Sequence, residues 1–364
     1  RPALPVPAAY APDDAGAATA TATAAADIAW QAYFPDPVLR GLIATALDNN
    51  RDLRNALLRV EEARALYGIQ RADQFPTLGV QAEGARSRVP GDLNLTGQPQ
   101  LSSQYQAGLG MASWELDFWG RVRNLKDAAL QNYLASDAAA RAATLSLIAE
   151  VADSYLSLRE LDERLALTRE TIASREESLR IFRRRYEVGA ISKLDLTQVE
   201  TLWQQAKALG ADLEQSRAQQ AHALELLLGA PLDLPPLPPR LDDSAVMRDL
   251  PPGLPSALLV NRPDIVAAEH RLKASNANIG AARAAFLPSI TLTGAFGTAS
   301  AELDGLFSGG SRAWNFAPSI SLPIFDAGRR DATVDLAEAR RDQAVSSYEQ
   351  TIQAAFKDVS DALS

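Results

Sequence analysis

The chain has 364 residues, with 36 basic side chains against 45 acidic ones and a net charge of −9. That balance argues against nucleic acid as a partner, because binding a phosphate backbone needs a basic face. Cysteine is absent, which excludes a disulfide framework, a thiol nucleophile and a thiolate metal site in these residues, while the length allows two or three domains and a large core.

Residues 1–29 are rich first in Pro and then in Ala and Thr, and read as an extended N-terminal arm. The opening Arg1-Pro2-Ala3 does not look like a natural start, so the N-terminus is expected to be processed or trimmed, and no secretory signal is present. A first helix is predicted from about Pro37. Leu39, Ala46, Leu53, Val60 and Tyr67 recur every seven residues, and Leu42, Ala56 and Ala63 fill a second seam. Asn49-Asn50 is a point where this helix loosens or breaks, and Pro76 ends it.

Two strand-like segments follow. Over 77–88, Leu78, Val80, Ala82 and Gly84 alternate with Thr77, Gln81 and Glu83; over 105–116, Tyr105, Ala107, Leu109 and Met111 alternate until the phase slips near Ala112. Period two is the strand signature. A turn-rich loop at 89–99 joins them, and Trp114, Phe118 and Trp119 cluster at the end of the second.

The stretch Arg121–Val188 then runs 68 residues with no Gly and no Pro, bounded by Gly120 and Gly189. Gly and Pro disfavour a helix interior by about 1 and about 3 kcal/mol, so their absence predicts one continuous helix over 121–187, roughly 100 Å long. Val151, Leu158, Leu165, Ile172, Leu179 and Tyr186 fall at intervals of seven, with Leu161, Thr168 and Phe182 between them. That period makes helices supercoil against neighbours. An isolated coiled-coil dimer has the same period but lacks the strand-like pieces. The last turn carries Arg183, Arg184 and Arg185, which suit the negative end of the helix dipole. Gly189 suits a left-handed C-terminal residue, and Ser192-Lys193-Leu194-Asp195 resembles a capping box. A return helix over 192–228 follows, with Val199, Leu202, Ala206, Leu209 and Leu213 at three-four spacing, then Gly229 and a Pro-rich connector over 231–255.

The pattern then begins again. Subtracting 212 from Leu258, Ile265, Leu272, Ile279 and Phe286 lands on Ala46, Leu53, Val60, Tyr67 and Gln74, four of them on the first helix's apolar seam, and the same offset carries Gly280 to Gly68, Arg283 to Arg71 and Pro288 to Pro76. A helix over 255–287, strands over 289–297 and 314–324, and a helix over 329–364 complete a second copy. Val345, Tyr348, Ile352, Ala355 and Val359 mark the last seam. The first copy runs 109 residues from Gly120 to Leu228 and the second only 37 from Gly328 to Ser364. Repeat symmetry therefore leads us to expect roughly 70 further residues in a complete protein.

No run of 18 apolar residues is present, so no transmembrane helix is expected. Four segments of about 10–12 residues, apolar on one side and small or polar on the other, suit a tilted bilayer crossing in a barrel with a wet interior. Trp114, Phe118, Trp314 and Phe316 lie near strand ends, where barrels place aromatic girdles. Four strands cannot close a membrane barrel, since about eight are needed, so several chains must contribute. The expected fold class is an α+β membrane protein with an internal duplication. Long antiparallel helices are expected to form a tube on the same axis as a barrel to which each subunit contributes four strands. The domains are the arm 1–29, repeat 1 over 30–253 and a truncated repeat 2 over 254–364.

No enzyme is expected. His222 and His270 sit far apart in helical patterns, and Glu61-Glu62, Glu176-Glu177 and Asp242-Asp243 are adjacent carboxylates that do not share a helix face. No cofactor or metal is called for.

Trp30, Phe34, Asp36-Pro37, Asn50-Arg51-Asp52-Leu53, the 71–76 run ending Phe75-Pro76, and Trp114-Glu115-Leu116-Asp117-Phe118-Trp119-Gly120-Arg121 resemble the outer-membrane factors of tripartite drug-efflux pumps. Arg185-Tyr186-Glu187-Val188-Gly189, Asn261-Arg262-Pro263-Asp264-Ile265, the 281–290 run and Leu322-Pro323-Ile324-Phe325 extend the likeness, which is nearest to the OprM branch of the TolC-like family. The resemblance implies a homotrimer whose 12-stranded β-barrel, four strands from each subunit, sits in outer-membrane lipid, with a long α-barrel forming a large periplasmic portion. It would be a passive exit duct served by a periplasmic adaptor protein and an inner-membrane RND transporter. It implies that Val188, Gly189, Ser192, Leu194 and Asp195 form the tip that meets the adaptor. The gating acidic residues would lie beyond Ser364, so no normally closed duct is expected of these residues alone. Many relatives in this branch carry a lipid on an N-terminal Cys, here expected upstream of residue 1. The competing reading is a soluble periplasmic coiled-coil adaptor or scaffold, which would not carry amphipathic strands flanked by aromatics in both copies.

Overall fold

The computed structural model describes residues 28–235 and 261–363. Most of the 1–29 arm, Asp242-Asp243, Leu258 and the connector after residue 235 lie outside the described residues. Two compact units are present, each assembled from stretches far apart in the sequence.

The helical unit holds the described parts of 5–59, 137–266 and 352–364. A four-residue helix that periodicity did not reveal, α1 (Trp30–Tyr33), precedes α2 (Pro37–Asn49). Asp36 caps α2: its Oδ1 accepts from the N–H of Val38 at 2.8 Å, and Pro37 fills the first helical position, where no N–H is missed. The predicted break falls at Asn50, between α2 and α3 (Arg51–Ala72). Asn50 Oδ1 accepts from Leu53 N–H at 2.8 Å, capping α3, while its Nδ2 donates to the Leu227 carbonyl at 2.9 Å. One buried amide thus serves a helix start and a helix end, both of which leave backbone groups unpaired. The core joins Leu39, Ile43 and Ala46 with Val151, Tyr155, Leu158, Leu224 and Leu228.

The helices supplying it are α4 (Arg121–Glu187) and α5 (Lys193–Leu228). The heptad residues Val151, Leu158, Leu165 and Leu179 are buried. On α5 the stripe differs from the expected one. Leu213 is buried as expected, but Leu202 and Leu209 are exposed, and Gly210, Leu224 and Leu228 are buried. Gly210 marks a close approach: a Cβ there would lie 3.0 Å from Ile172 Cδ1.

Gly229 ends α5 with φ 64°, and a Cβ there would sit 2.5 Å from the Asn49 carbonyl oxygen. Strain and a backbone clash combine at this position. Gly229→Val is expected to destabilise the helical unit by more than about 3 kcal/mol, read as a lowered midpoint in thermal unfolding.

Tyr155 is buried and donates to Asp36 Oδ2 at 2.9 Å. Burial, reinforced by that hydrogen bond, pushes its hydroxyl up to about 12. The folded value lies above the unfolded one of about 10. The contribution of the neutral hydroxyl is therefore complete below about pH 10 and is lost as pH rises through about 12. Tyr155→Phe is expected to cost about 1–3 kcal/mol at neutral pH and to remove this alkaline component from a stability-versus-pH profile.

The second unit holds 60–136 and 267–351. Its four-stranded antiparallel sheet has the order β1 (Leu78–Val89), β2 (Gln100–Leu116), β3 (Ser289–Ser300), β4 (Arg312–Ser321). The phase slip expected near Ala112 is a bulge between Met111 and Trp114. β4 stops short of the expected residue 324, because Pro323 has no N–H to continue a ladder. Helices α6 (Pro263–Ala284) and α7 (Arg329–Leu363) follow the second copy's pattern. α6 passes close to the start of α4, where a Cβ on Gly280 would lie 2.8 Å from the Asn124 side chain.

Candidate functional site

The sheet has two chemically distinct faces. Cross-strand pairing puts Leu78 beside Met111 and Val80 beside Leu109. Leu109 lies beside Phe296, Phe296 beside Trp314, and Ile290 beside Ile320. Side chains alternate across a strand, so one face carries Leu78, Val80, Leu109, Phe296, Phe316 and Ile320. The opposite face carries Gln81, Glu83, Gln104, Gln106, Thr291 and Asn315. The apolar face is uncovered: Val80 is 84% exposed and Ile320 71% exposed. On the polar face Gln106 Nε2 donates to Glu83 Oε2 at 2.9 Å. A row of exposed apolar side chains on a twisted sheet is unstable in water, whereas bilayer hydrocarbon accepts it on a barrel's outer wall.

The expected girdle residues are placed unequally. Trp114 ends the bulge on β2, and Phe118 lies just past that strand, edge-to-face with Trp119 at 5.7 Å. Trp119 Nε1 donates to the Pro288 carbonyl at 2.7 Å, pinning the junction where the strands give way to helices. Trp314 is the third residue of β4. Phe316 is not at a strand end: it lies inside β4 opposite Gly294. Three arginines that sequence reading passed over, Arg86, Arg88 and Arg312, share the apolar face by strand parity. Parity alone held the signal, but it becomes a face only once the register is known.

Where strands meet helices, backbone caps are built from Asp. Asp117 accepts from the N–H groups of Val122 at 2.9 Å and Arg123 at 2.8 Å, and Gly120 takes φ 79° to let the chain turn. In the second copy Asp326 accepts from Gly328 N–H at 3.1 Å and from Arg330 Nε at 2.6 Å, with Gly328 at φ 83°.

The α4–α5 hairpin brings Val188, Gly189, Ser192, Leu194 and Asp195 into one turn. Gly189 N–H donates to Tyr186 O at 2.9 Å and Ala190 N–H to Arg185 O at 2.8 Å, the two bonds of a Schellman closure, with Gly189 at φ 74°. Asp195 N–H donates to Ser192 Oγ at 3.2 Å, and Ser192 N–H donates to Asp195 Oδ2 at 3.0 Å, completing the capping box. Both helix ends are therefore satisfied by local bonds alone. That leaves Val188 and Leu194, 65% and 67% exposed, as apolar side chains uncovered among the described residues. Below the turn Arg183 and Glu200 pair at 3.0 Å across the hairpin.

The hydrogen bonds from Ser192 hold the Asp195 carboxylate below its usual range. A depressed folded value means the cap is complete above the unfolded pKa and is lost as pH falls through the folded one. The protection factors of the 189–195 amides, which correct exchange for its intrinsic pH dependence, are therefore expected to fall on acidification below about pH 4 and to lack that fall in Asp195→Asn.

His270 Nδ1 lies 2.7 Å from Gln131 Oε1, an α6–α4 contact. Among the described residues no group of three His, Cys, Asp or Glu side chains could hold a metal.

The sequence model of the family described as Outer membrane efflux protein matches residues 42–230 and 254–364, so the two halves are matched separately. The outer membrane protein OprJ of Pseudomonas aeruginosa is 50% identical over 366 residues, spanning 100% of this chain and 75% of that protein. A crystal structure of a membrane protein from Pseudomonas aeruginosa superposes with a TM-score of 0.92 at 48% identity, covering 100% of this chain and 81% of that one. The open state of the Neisseria gonorrhoeae MtrE outer membrane channel gives 0.83 at 44% identity, covering 94% and 77%.

Proposed function

We infer function from kinship joined to geometry: this chain belongs to the Outer membrane efflux protein family. It is an outer-membrane channel subunit of an efflux system, and it provides a passive exit path with a large periplasmic helical portion. The observation that carries this reading is the one-sided sheet, apolar and uncovered on one face and polar on the other.

In the finer reading, three copies join their four strands into a 12-stranded barrel with the apolar faces to lipid and the polar faces to the lumen. β1 and β4 are the sheet edges, and each needs a partner strand from another copy. The Val188–Asp195 turn docks a periplasmic adaptor, which in turn connects to an inner-membrane RND transporter; the exposed Val188 and Leu194 support this. Trp114, Phe118 and Trp314 mark membrane interfaces, and Phe316 belongs to the lipid-facing band. The repeats divide at about 253/254, and the chain carries no catalytic step. A soluble adaptor or scaffold is disfavoured, because such a protein has no use for the bare apolar face.

Single cysteines carrying a nitroxide label test the wall. Labels at Val80 and Phe296 are expected to be relaxed by oxygen, which partitions into hydrocarbon, and labels at Gln81 and Asn315 by a water-soluble nickel chelate. Equal access of the chelate to all four positions would reject the lipid-facing assignment.

A further inference from the structure

We propose that Arg86, Arg88 and Arg312 form a cationic seat for the phosphate of a phosphorylated glycolipid in the outer leaflet, completed where two copies meet. The proposal rests on the trimeric-barrel reading above.

All three arginines lie on the lipid-facing side of the sheet, at the ends of their strands remote from the helices. All three are exposed, and among the described residues none makes an ion pair or a side-chain hydrogen bond. Unpaired cations on a lipid-facing wall are expensive in hydrocarbon, so each must lie at or beyond its edge.

Their positions define that edge. Arg312 pairs with Thr298 and, through it, stands in the row of Ala107 and Ala82. Arg86 is four residues further along β1. Four residues at about 3.4 Å each, set against three strand spacings of about 4.8 Å, give a slant of roughly 43°. Barrel strands tilt by about 35–45°. A level line across tilted strands must cut the cross-strand rows at the tilt angle, so Arg86 and Arg312 stand at one height, with Arg88 just above. Below the line the same face turns apolar at Val80, Phe296, Trp314 and Phe316.

Closure of the barrel brings β1 of one copy beside β4 of the next. Arg86 and Arg88 of one copy then share a seam with Arg312 of its neighbour, so each trimer has three such seats. A cation trio directly above an acyl-facing aromatic band matches a ligand with phosphate above and acyl chains below. Guanidinium suits phosphate because it donates in a planar fork. Helices emerge from the opposite strand ends, so this edge faces the outer leaflet, where phosphorylated glycolipid resides.

The test uses the full-length protein as an outer-membrane trimer in phosphatidylcholine nanodiscs, titrated with bisphosphorylated lipid A, with dephosphorylated lipid A, and with inorganic phosphate as competitor. Arg86→Gln/Arg88→Gln/Arg312→Gln is expected to bind lipid A about a hundred-fold more weakly, about five-fold per arginine. The corresponding triple Lys variant should stay within about five-fold of the parent, and Arg340→Gln on α7 should not differ from it. Dephosphorylated lipid A should bind all variants alike, and inorganic phosphate should compete poorly because it lacks the acyl chains. A trimeric triple Gln variant that binds lipid A as the parent does would overturn the seat while leaving the duct intact. A parent protein that forms no membrane trimer would overturn the duct and the seat with it.

Discussion

Gly297→Val is expected to abolish outer-membrane assembly, with trimer in the membrane fraction falling at least about tenfold. Gly297 pairs with Gly108 across the β2–β3 ladder, the joint between the two hairpins. A Cβ on Gly297 would lie 2.2 Å from the Ala107 carbonyl oxygen and 2.5 Å from Gly108 Cα, and one on Gly108 would lie 2.5 Å from the Phe296 oxygen. These neighbours are backbone and cannot rotate away, so the ladder itself would have to part. The two strands are 174 residues apart at their nearest pairing, Leu116 with Ile290, so no local turn holds them in register. Gly79→Val on β1 is the control, because a Cβ there meets nothing within 4 Å; it should assemble normally. Gly297→Val trimers at parental abundance would contradict the close β2–β3 approach.

Gly189→Trp is expected to reduce efflux complementation to the level of a host lacking the protein, with membrane abundance unchanged. A Cβ at Gly189 meets open space, so the cost is backbone strain at φ 74° rather than a clash, about 1–2 kcal/mol for an L-residue in that region. The strain is local, because the buried seam lies below the turn and continues through Leu179, Leu165 and Leu158. What changes is the surface that Val188 and Leu194 present. Gly189→Asn, which tolerates the left-handed region, should keep most of the activity. Unchanged drug resistance in Gly189→Trp would reject the docking role of the turn.

Much of the fold could be read from residue types. The lack of Gly and Pro between Gly120 and Gly189 marked α4 to its observed bounds, because helix breakers act locally and need no tertiary information. The break at Asn50 and the closure at Gly189–Asp195 were legible for the same reason: caps are made within a few residues. The α5 stripe was misjudged because Leu202 and Leu209 are large and apolar, whereas the buried position is Gly210, whose value lies in letting Ile172 approach. A helix that contacts two neighbours shows more apolar positions than one chain buries, so size alone does not tell which stripe turns inward. Strand residues were easy to find by alternation, yet their faces were not complete without the register. Without the register, Arg86, Arg88 and Arg312 do not stand out as one face, and Phe316 reads as a strand-end residue.

These 364 residues contain no cysteine, so the shared barrel can be tested by disulfide cross-linking between edge strands. One cysteine replaces Ala82 on β1, and a second replaces Ala313, Trp314, Asn315, Phe316 or Ala317 on β4, one pair per variant. If β1 of each copy lies beside β4 of the next, at least one pair will yield covalent dimers and trimers from the outer-membrane fraction after oxidation. Monomers from every pair, with disulfides formed only within single chains, would contradict a barrel built from three copies.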